Sequence, residues 1–329
     1  MKQVLPKIKI GLALSGGGAK APAHVGILKV FEAHGIKIHR IVGVSAGALI
    51  GAAFSIGRTC DEMLEVISKY HNKHLRDLLK LKGQQESILD DKEIKKGFID
   101  MLGMKTFNDL KIPFACVAVD LESGKEIILD KGLLWESCRA SSSMPFIFSP
   151  YFLEYRYLVD GGLTNNLPVD VLRDYGDCDI IIGVDLGTQA SRQFISGMIW
   201  HKHYVKPKGY KEWQNPLHKM RMNIIFMLSI LMRSIDIMVD RHQTIKIKEA
   251  HPDIIITPKL SNISSIDFDK VDITYKAGIK AATAWIEPLK HLIEIKGLQK
   301  LEKQKNLKIK PPTKVKAKAK SVKSLSMLS

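Results

Sequence analysis

The chain has 329 residues, of which 45% are hydrophobic and 26% are charged. This composition is close to that of ordinary globular proteins, and it excludes a wholly disordered chain, a collagen-like fibre and a disulfide-stapled miniprotein. The formal net charge is +16, which allows anionic membranes or nucleic acid as neighbours. The four cysteines form no CxxC pair, so neither a disulfide framework nor a zinc ribbon is expected, and a reducing compartment is favoured.

The first elements alternate between strand and helix. An apolar run over residues 8–14 ends in the triplet Gly16-Gly17-Gly18, as a buried parallel strand does when it enters a loop. Pro22 suits the first position of a following helix, and Gly35 suits its end. A second apolar strand over residues 40–44 leads through a tight turn into a helix rich in small residues. This alternation predicts a parallel sheet with helices on its faces.

The rest of the chain continues the mixed pattern. Short strands are predicted at residues 113–119, 126–129, 155–159, 179–184 and 253–256. Helices are predicted over residues 64–101 with a break at Gly83, over residues 223–241 and over residues 271–293. No segment reaches the ~20 clean apolar residues of a transmembrane helix, and the N-terminus lacks a full signal-peptide pattern. We therefore expect a cytoplasmic protein with reversible membrane contact, while export through a signal located elsewhere stays open.

Two segments carry much of the basic charge. From Leu298 to Ser329, ten lysines stand against Glu302 alone, so this part carries +9. Such a composition builds no core, and we predict one domain over residues 1–296 and a disordered lysine-rich tail over residues 297–329. Residues 200–222 interleave tryptophan and tyrosine with lysine, which is typical of a membrane interface, a nucleic-acid surface or a solvated loop. A membrane with anionic lipids is the preferred partner for both segments, and nucleic acid is not expected.

The segment Gly43-Val44-Ser45-Ala46-Gly47 has the pattern GxSxG. A serine nucleophile between a strand and a helix sits on a strained turn, and small flanking residues let neighbouring backbones approach. The helix that follows places its positive end under a developing negative charge. A Ser-His-Asp hydrolase of the α/β-hydrolase type is an alternative, but that fold has a longer run of sheet before its serine.

Two further motifs contain glycines. The triplet Gly16-Gly17-Gly18 offers backbone N–H groups to an oxyanion or a phosphate. A dinucleotide loop would need a glycine where the chain has Ala21, and an acidic residue after the second strand. The segment Asp160-Gly161-Gly162 follows a short apolar strand, where the aspartate either forms a plain turn or presents its carboxylate into a cleft.

Together these three motifs resemble those of the patatin-like phospholipase family. The segments at residues 24–28, 140–145, 160–169 and 253–282 are also similar to family segments, so the resemblance covers about residues 7–290. It implies an α/β fold of three layers, with a mostly parallel central sheet, helices on both faces and a Ser-Asp dyad. It also implies a hydrolase that cleaves carboxylic esters of phospholipids, lysophospholipids or acylglycerols at a membrane surface.

The resemblance assigns roles to individual residues. Ser45 would be the nucleophile, and Asp160 the general base that takes its proton. The residues implied in the oxyanion hole are Gly16, Gly17, Gly18, Ala19 and Lys20. The glycines that support these motifs are Gly43, Gly47, Gly161 and Gly162. No metal and no cofactor are expected, and the oligomeric state is not predicted.

The chain departs from the family at the end of the glycine loop, where Ala21-Pro22 replaces the usual glycine. If this position requires a positive φ, an alanine there costs ~1–2 kcal/mol. Pro22 lacks an N–H group and favours extended backbone at the residue before it. The alternative prediction is therefore a lipid-binding or regulatory protein on the same fold, with weakened catalysis.

Overall fold

The computed structural model describes residues 5–78, 91–145, 147–187, 216–260, 263, 265 and 267–309. The tryptophans and tyrosines of the predicted basic segment lie outside this part of the chain, as do residues 310–329 of the predicted tail.

The described residues form eight strands and nine α-helices. The strands are β1 (Ile10–Leu14), β2 (Ile38–Val44), β3 (Phe114–Asp120), β4 (Glu126–Leu129), β5 (Tyr151–Leu153), β6 (Arg156–Asp160), β7 (Ile180–Val184) and β8 (Ile254–Ile256). The helices are α1 (Pro22–Ala33), α2 (Ala46–Ser55), α3 (Cys60–Leu78), α4 (Asp91–Leu102), α5 (Leu134–Ser141), α6 (Gly162–Asn165), α7 (Val169–Tyr175), α8 (Pro216–Ala250) and α9 (Val271–Ile309).

All eight strands belong to one sheet. The pairs β3-β2, β2-β1, β1-β7 and β7-β8 are parallel, whereas β4 and β6 pair antiparallel with β3, and β5 pairs antiparallel with β6. The parallel strands are apolar throughout because helices cover both faces of the sheet. Leu12 and Leu14 point into the larger core, which contains residues of α1 to α5 and α9, and Ala13 points into a smaller core with residues of α7 and α8. This arrangement confirms the predicted three-layer α/β fold.

The last helix is longer than the sequence predicts. α9 continues to Ile309, beyond the predicted helix end at residue 293 and the predicted tail boundary at Gly297. Lys300 Nζ binds Asp179 Oδ2 at 2.7 Å, next to the start of β7, which ties this part of the helix to the domain. Residues 297–309 are therefore helical, and a disordered tail, as predicted, begins no earlier than residue 310.

Candidate active site

The GxSxG segment forms the predicted turn between β2 and α2. Ser45 has φ 52° and ψ −120°, a conformation that residues with a side chain rarely adopt. A Cβ atom on Gly47 would lie 2.6 Å from the Ser15 carbonyl oxygen, and one on Gly43 would lie 2.6 Å from the Gly47 carbonyl carbon. Both positions therefore exclude a side chain, and the close packing of β1, β2 and α2 holds the serine in its strained conformation.

The ends of β2 and β6 meet beside β3. β4 pairs with residues 116–119 along one edge of β3, and a strand has two edges, so β2 and β6 share the other edge. Val44, the last residue of β2, lies opposite Val117. Asp160, the last residue of β6, lies opposite Ala118. The two strands thus run towards each other and bring the serine turn and the aspartate to neighbouring positions of β3.

Asp160 is buried, with 1% of its surface exposed. Its Oδ1 atom accepts a hydrogen bond from the Gly162 amide at 2.8 Å, whereas its Oδ2 atom has no hydrogen-bond partner among the described residues. Burial raises the pKa of Asp160 to about 6, against the smaller lowering effects of the Ser45 hydroxyl and the Gly162 amide. A carboxylate with a raised pKa and a free oxygen beside a serine hydroxyl is suited to accept its proton.

Ser141, the last residue of α5, connects both halves of the site. Its hydroxyl accepts a hydrogen bond from the Ser45 amide at 3.0 Å and donates one to the Val117 carbonyl at 2.6 Å. Its carbonyl accepts a hydrogen bond from the Gly161 amide at 3.3 Å. The sequence prediction gave Ser141 no role in the site, although it lies in a segment that carries the family resemblance.

Most amides of the glycine loop already donate hydrogen bonds. The amides of Gly16, Ala19 and Lys20 donate to the carbonyl oxygens of Asn166 (3.2 Å), Ser265 (2.8 Å) and Gly17 (3.1 Å), respectively. Among the described residues, the amides of Gly17 and Gly18 have no such acceptor. Of the five residues that the resemblance implies, these two therefore keep a backbone N–H group available for an oxyanion.

The candidate residues surround a cavity of about 100 Å³. Ser45, Asp160, Gly17 and Gly18 line it, together with apolar side chains of the segment after α5 and of α8. A second cavity of about 200 Å³ also reaches Ser45 and Gly18 and extends between α2, α3 and α4. The serine is thus accessible from two largely apolar spaces.

Residues 12–173, which contain this arrangement, match the family model of patatin-like phospholipases. They form a patatin-like phospholipase domain.

Curated relatives share this domain. Neuropathy target esterase sws of Drosophila melanogaster is 36% identical over 187 residues, which are 55% of this chain and 13% of that protein. Lysophospholipase NTE1 of Scheffersomyces stipitis is 27% identical over 286 residues, which are 86% of this chain and 18% of that protein. The chain therefore spans less than a quarter of the length of these two relatives. Among solved structures, VipD from Legionella pneumophila aligns with 85% of this chain and 67% of that chain, with a TM-score of 0.44 and 13% identity.

Ala21 of the patatin-like domain does not have the strained backbone that the sequence suggested. Its φ is −44° and its ψ is −38°, which is right-handed helical geometry, and Pro22 is the first residue of α1. The positive φ of the loop falls on Gly18, at 54°. The expectation of strain at Ala21 is therefore wrong, and the prediction of a weakened enzyme loses its basis.

Two buried residues hold the loop from below. Lys20 Nζ donates to the carbonyl oxygens of Leu186 at 3.3 Å and Gly187 at 2.7 Å, so its ammonium is engaged by the segment after β7. His24 Nε2 donates to the Ser15 carbonyl at 2.8 Å, and burial lowers the pKa of His24 to about 4. Because His24 is neutral and points to Ser15, it supports the start of the loop, in keeping with the prediction that it packs on a helix face.

Metal ligands and membrane spans were searched in the same part of the chain. The described residues include no group of three His, Cys, Asp or Glu side chains that could hold a metal ion. None of the described helices is long and apolar enough to cross a membrane.

Proposed function

We propose that the protein hydrolyses carboxylic esters of lipids, with Ser45 as the nucleophile and Asp160 as the general base. The observation that carries this proposal is the buried, unpartnered Oδ2 atom of Asp160 beside the strained serine in one cavity. A buried polar atom without a partner is costly, and such atoms in native structures often mark a functional site. The proton of the serine hydroxyl would satisfy this one.

In the first half-reaction, Asp160 Oδ2 takes the proton of Ser45 Oγ while Oγ attacks the carbonyl carbon of the ester. The carbonyl oxygen becomes negatively charged and receives hydrogen bonds from the amides of Gly17 and Gly18. When the C–O bond to the alcohol breaks, the protonated Asp160 returns the proton to the leaving alkoxide. An acyl group then remains on Ser45.

In the second half-reaction, a water molecule attacks the acyl carbon and Asp160 takes its proton. The same two amides stabilise the second oxyanion. Collapse of this intermediate releases a fatty acid and returns the proton to Ser45 Oγ. Every step uses the chain's own groups, so the reaction as proposed requires no metal or cofactor.

Phospholipids, lysophospholipids and acylglycerols are the proposed substrates. The apolar lining of both cavities that reach Ser45 suits acyl chains. The name of the yeast relative, a lysophospholipase, favours monoacyl phospholipids within this group.

The test compares the wild-type protein with Ser45→Ala and Asp160→Asn on p-nitrophenyl butyrate and on a panel of lysophosphatidylcholine, phosphatidylcholine and monoacylglycerol. We expect each substitution to lower kcat by at least about 10³-fold while the circular dichroism spectrum stays unchanged. Equal turnover by all three proteins, or none by the wild type on any ester, would contradict the proposal.

We further propose that the protein acts at a lipid surface and that α8 contacts this surface. Met227 and Met238 are 68% and 70% exposed, and Leu231 and Ile245 are also exposed. Their spacing places them on one face of α8, and Ile235 of the same helix lines the cavity at Ser45. An apolar row on a helix beside the site can enter the headgroup layer and bring the cavity close to its substrate.

Vesicle co-sedimentation tests this contact with Met238→Glu and with Thr244→Glu, an exposed position of α8 outside the row. We expect Met238→Glu alone to weaken binding to phosphatidylcholine vesicles. Vesicles that also contain phosphatidylglycerol test the predicted attraction of the basic segments for anionic lipid. Equal binding by both variants and the wild type would contradict a role for the row.

A further inference from the structure

The larger cavity begins at Ser45 and runs beside three helices. Its walls come from the first turn of α2, from one face of α3 and from α4. On α4 the lining extends from Ile94 through Gly97 and Phe98 to Met101, two turns that span ~10 Å along the helix axis. The lining is almost wholly apolar, since Ile94, Phe98 and Met101 are buried core residues that face this space. A long, narrow apolar space that opens at a nucleophile has the shape of an extended hydrocarbon chain.

Gly97 is an unusual residue in this wall. Glycine inside a helix is less stable than alanine, so a helical glycine normally reflects a backbone or packing requirement. Its φ does not lie in the left-handed region, and a Cβ atom would meet only the Tyr70 ring, at 3.7 Å, which is an ordinary contact distance. Gly26, by contrast, faces the backbone of α9, where a Cβ atom would lie 2.9 Å from the Ile279 amide nitrogen. Folding does not require glycine at position 97, but an open cavity does.

We propose that the cavity between α2, α3 and α4 binds the acyl chain of the ester, and that Gly97 sets the length of chain that it accepts. The proposal rests on the proposed ester hydrolysis at Ser45. With the acyl carbonyl at Ser45, the chain continues along α4 past Gly97, and the Tyr70 ring forms the opposite wall. A butyryl group ends close to the serine, whereas a palmitoyl chain extends further along the cavity.

The test introduces a leucine at Gly97, which fills the cavity, and compares it with Lys96→Leu. Lys96 is an exposed neighbour on the same helix and does not line the cavity, so it controls for the added side chain. The rates to be compared are those on p-nitrophenyl butyrate and p-nitrophenyl palmitate in the same detergent. We expect Gly97→Leu to lower the palmitate-to-butyrate ratio of kcat/KM by at least about 10-fold and Lys96→Leu to leave it unchanged. Gly97→Ala, which fits without a clash, should lower the ratio by a smaller factor.

A second measurement does not depend on turnover. Binding of palmitate to the Ser45→Ala protein, followed by calorimetry, should weaken by at least about 10-fold when Gly97→Leu is added. If the wild type hydrolyses both esters and Gly97→Leu leaves their ratio unchanged, the acyl-chain assignment is overturned while the proposed hydrolysis stands. If no ester is hydrolysed, the proposed function fails, and palmitate binding that is insensitive to Gly97→Leu then overturns the acyl-chain assignment as well. Should Gly97→Leu not fold, the same two readouts on Gly97→Ala decide the outcome.

Discussion

The hydroxyl of Ser141 accepts a hydrogen bond from the amide of Ser45 at 3.0 Å. The same hydroxyl donates to the carbonyl of Val117, at the point of β3 where the partner strand β2 ends and β6 begins. A side chain thus replaces the strand that would otherwise bind this carbonyl. The hydrogen bond also fixes the turn that carries the proposed nucleophile relative to the helix before Asp160.

Replacing Ser141 with alanine should affect stability and catalysis together. It removes the partner of the Ser45 amide and of the Val117 carbonyl, which should lower the free energy of unfolding by about 1–3 kcal/mol. The Ser45 turn would also lose its anchor, and we expect kcat/KM on p-nitrophenyl butyrate to fall by about 10²-fold. Urea denaturation and steady-state kinetics measure the two effects.

Ser142→Ala is the matched control for this prediction. Ser142 is the next residue and lines the larger cavity, and it shares neither of the two hydrogen bonds. Its substitution should leave kcat/KM within about 2-fold of the wild type. Wild-type kinetics in a folded Ser141→Ala protein would show that the Ser45 turn does not need this anchor.

The sequence predicts those elements of the fold whose pattern is set by burial alone. β1, β2 and β7 are continuous apolar runs because both of their faces are covered, and the predictions place them within two residues of their observed bounds. β5 and α5 to α7 were not predicted. They are short, from three to eight residues, and periodicity cannot be read over so few positions.

The candidate site shows a similar division. Ser45 and Asp160 carry recognisable local motifs, so both could be named from the sequence. What brings them together is the meeting of β2 and β6 on one edge of β3, which depends on long-range pairing. Likewise, Ser265 takes the amide of Ala19, and no local pattern near either residue indicates this bond. The sequence therefore predicts too many oxyanion donors, because it does not reveal which amides are already engaged.

The activity should depend on pH through Asp160. As a general base it must be ionised, and burial raises its pKa to about 6. On p-nitrophenyl butyrate, kcat/KM should therefore rise with pH, reach half of its maximum near pH 6 and level off above it. A profile measured in buffers of constant ionic strength checks this. A half-maximum below pH 4, as for an exposed aspartate, would contradict the role of burial.

Replacing Asp160 with asparagine should stabilise the fold at neutral pH. The native pKa of about 6 exceeds the ordinary value of 3.8, so the native state binds the proton more tightly than the unfolded chain does. Asp160 therefore costs no stability below pH 3.8 and destabilises the fold as pH rises to 6. Two pKa units correspond to about 3 kcal/mol.

Urea unfolding of the wild type and Asp160→Asn at several pH values measures this cost. The difference in free energy of unfolding should grow in favour of the variant between pH 4 and pH 6 and stay constant above. The variant should have lost its activity at every pH. A difference that does not change with pH would show that Asp160 has no raised pKa in the folded protein.

The glycine loop should tolerate a change at Ala21 but not at Gly18. Gly18 has φ 54°, and a Cβ atom there would lie 3.2 Å from the Ser265 carbonyl carbon, so Gly18→Ala costs ~1–2 kcal/mol of backbone strain and moves the loop. Since the loop amides are proposed to hold the oxyanion, we expect kcat to fall by about 10²-fold or more.

Ala21→Gly is the counterpart of this variant. Ala21 already has helical geometry, so glycine relieves no strain, and kcat should stay within about 2-fold of the wild type. The two variants measured side by side with p-nitrophenyl butyrate therefore separate the two positions. If Ala21→Gly raised kcat by 10-fold or more, the loop would be strained at Ala21 after all, because neither that residue's φ nor its hydrogen bonds would otherwise account for the gain.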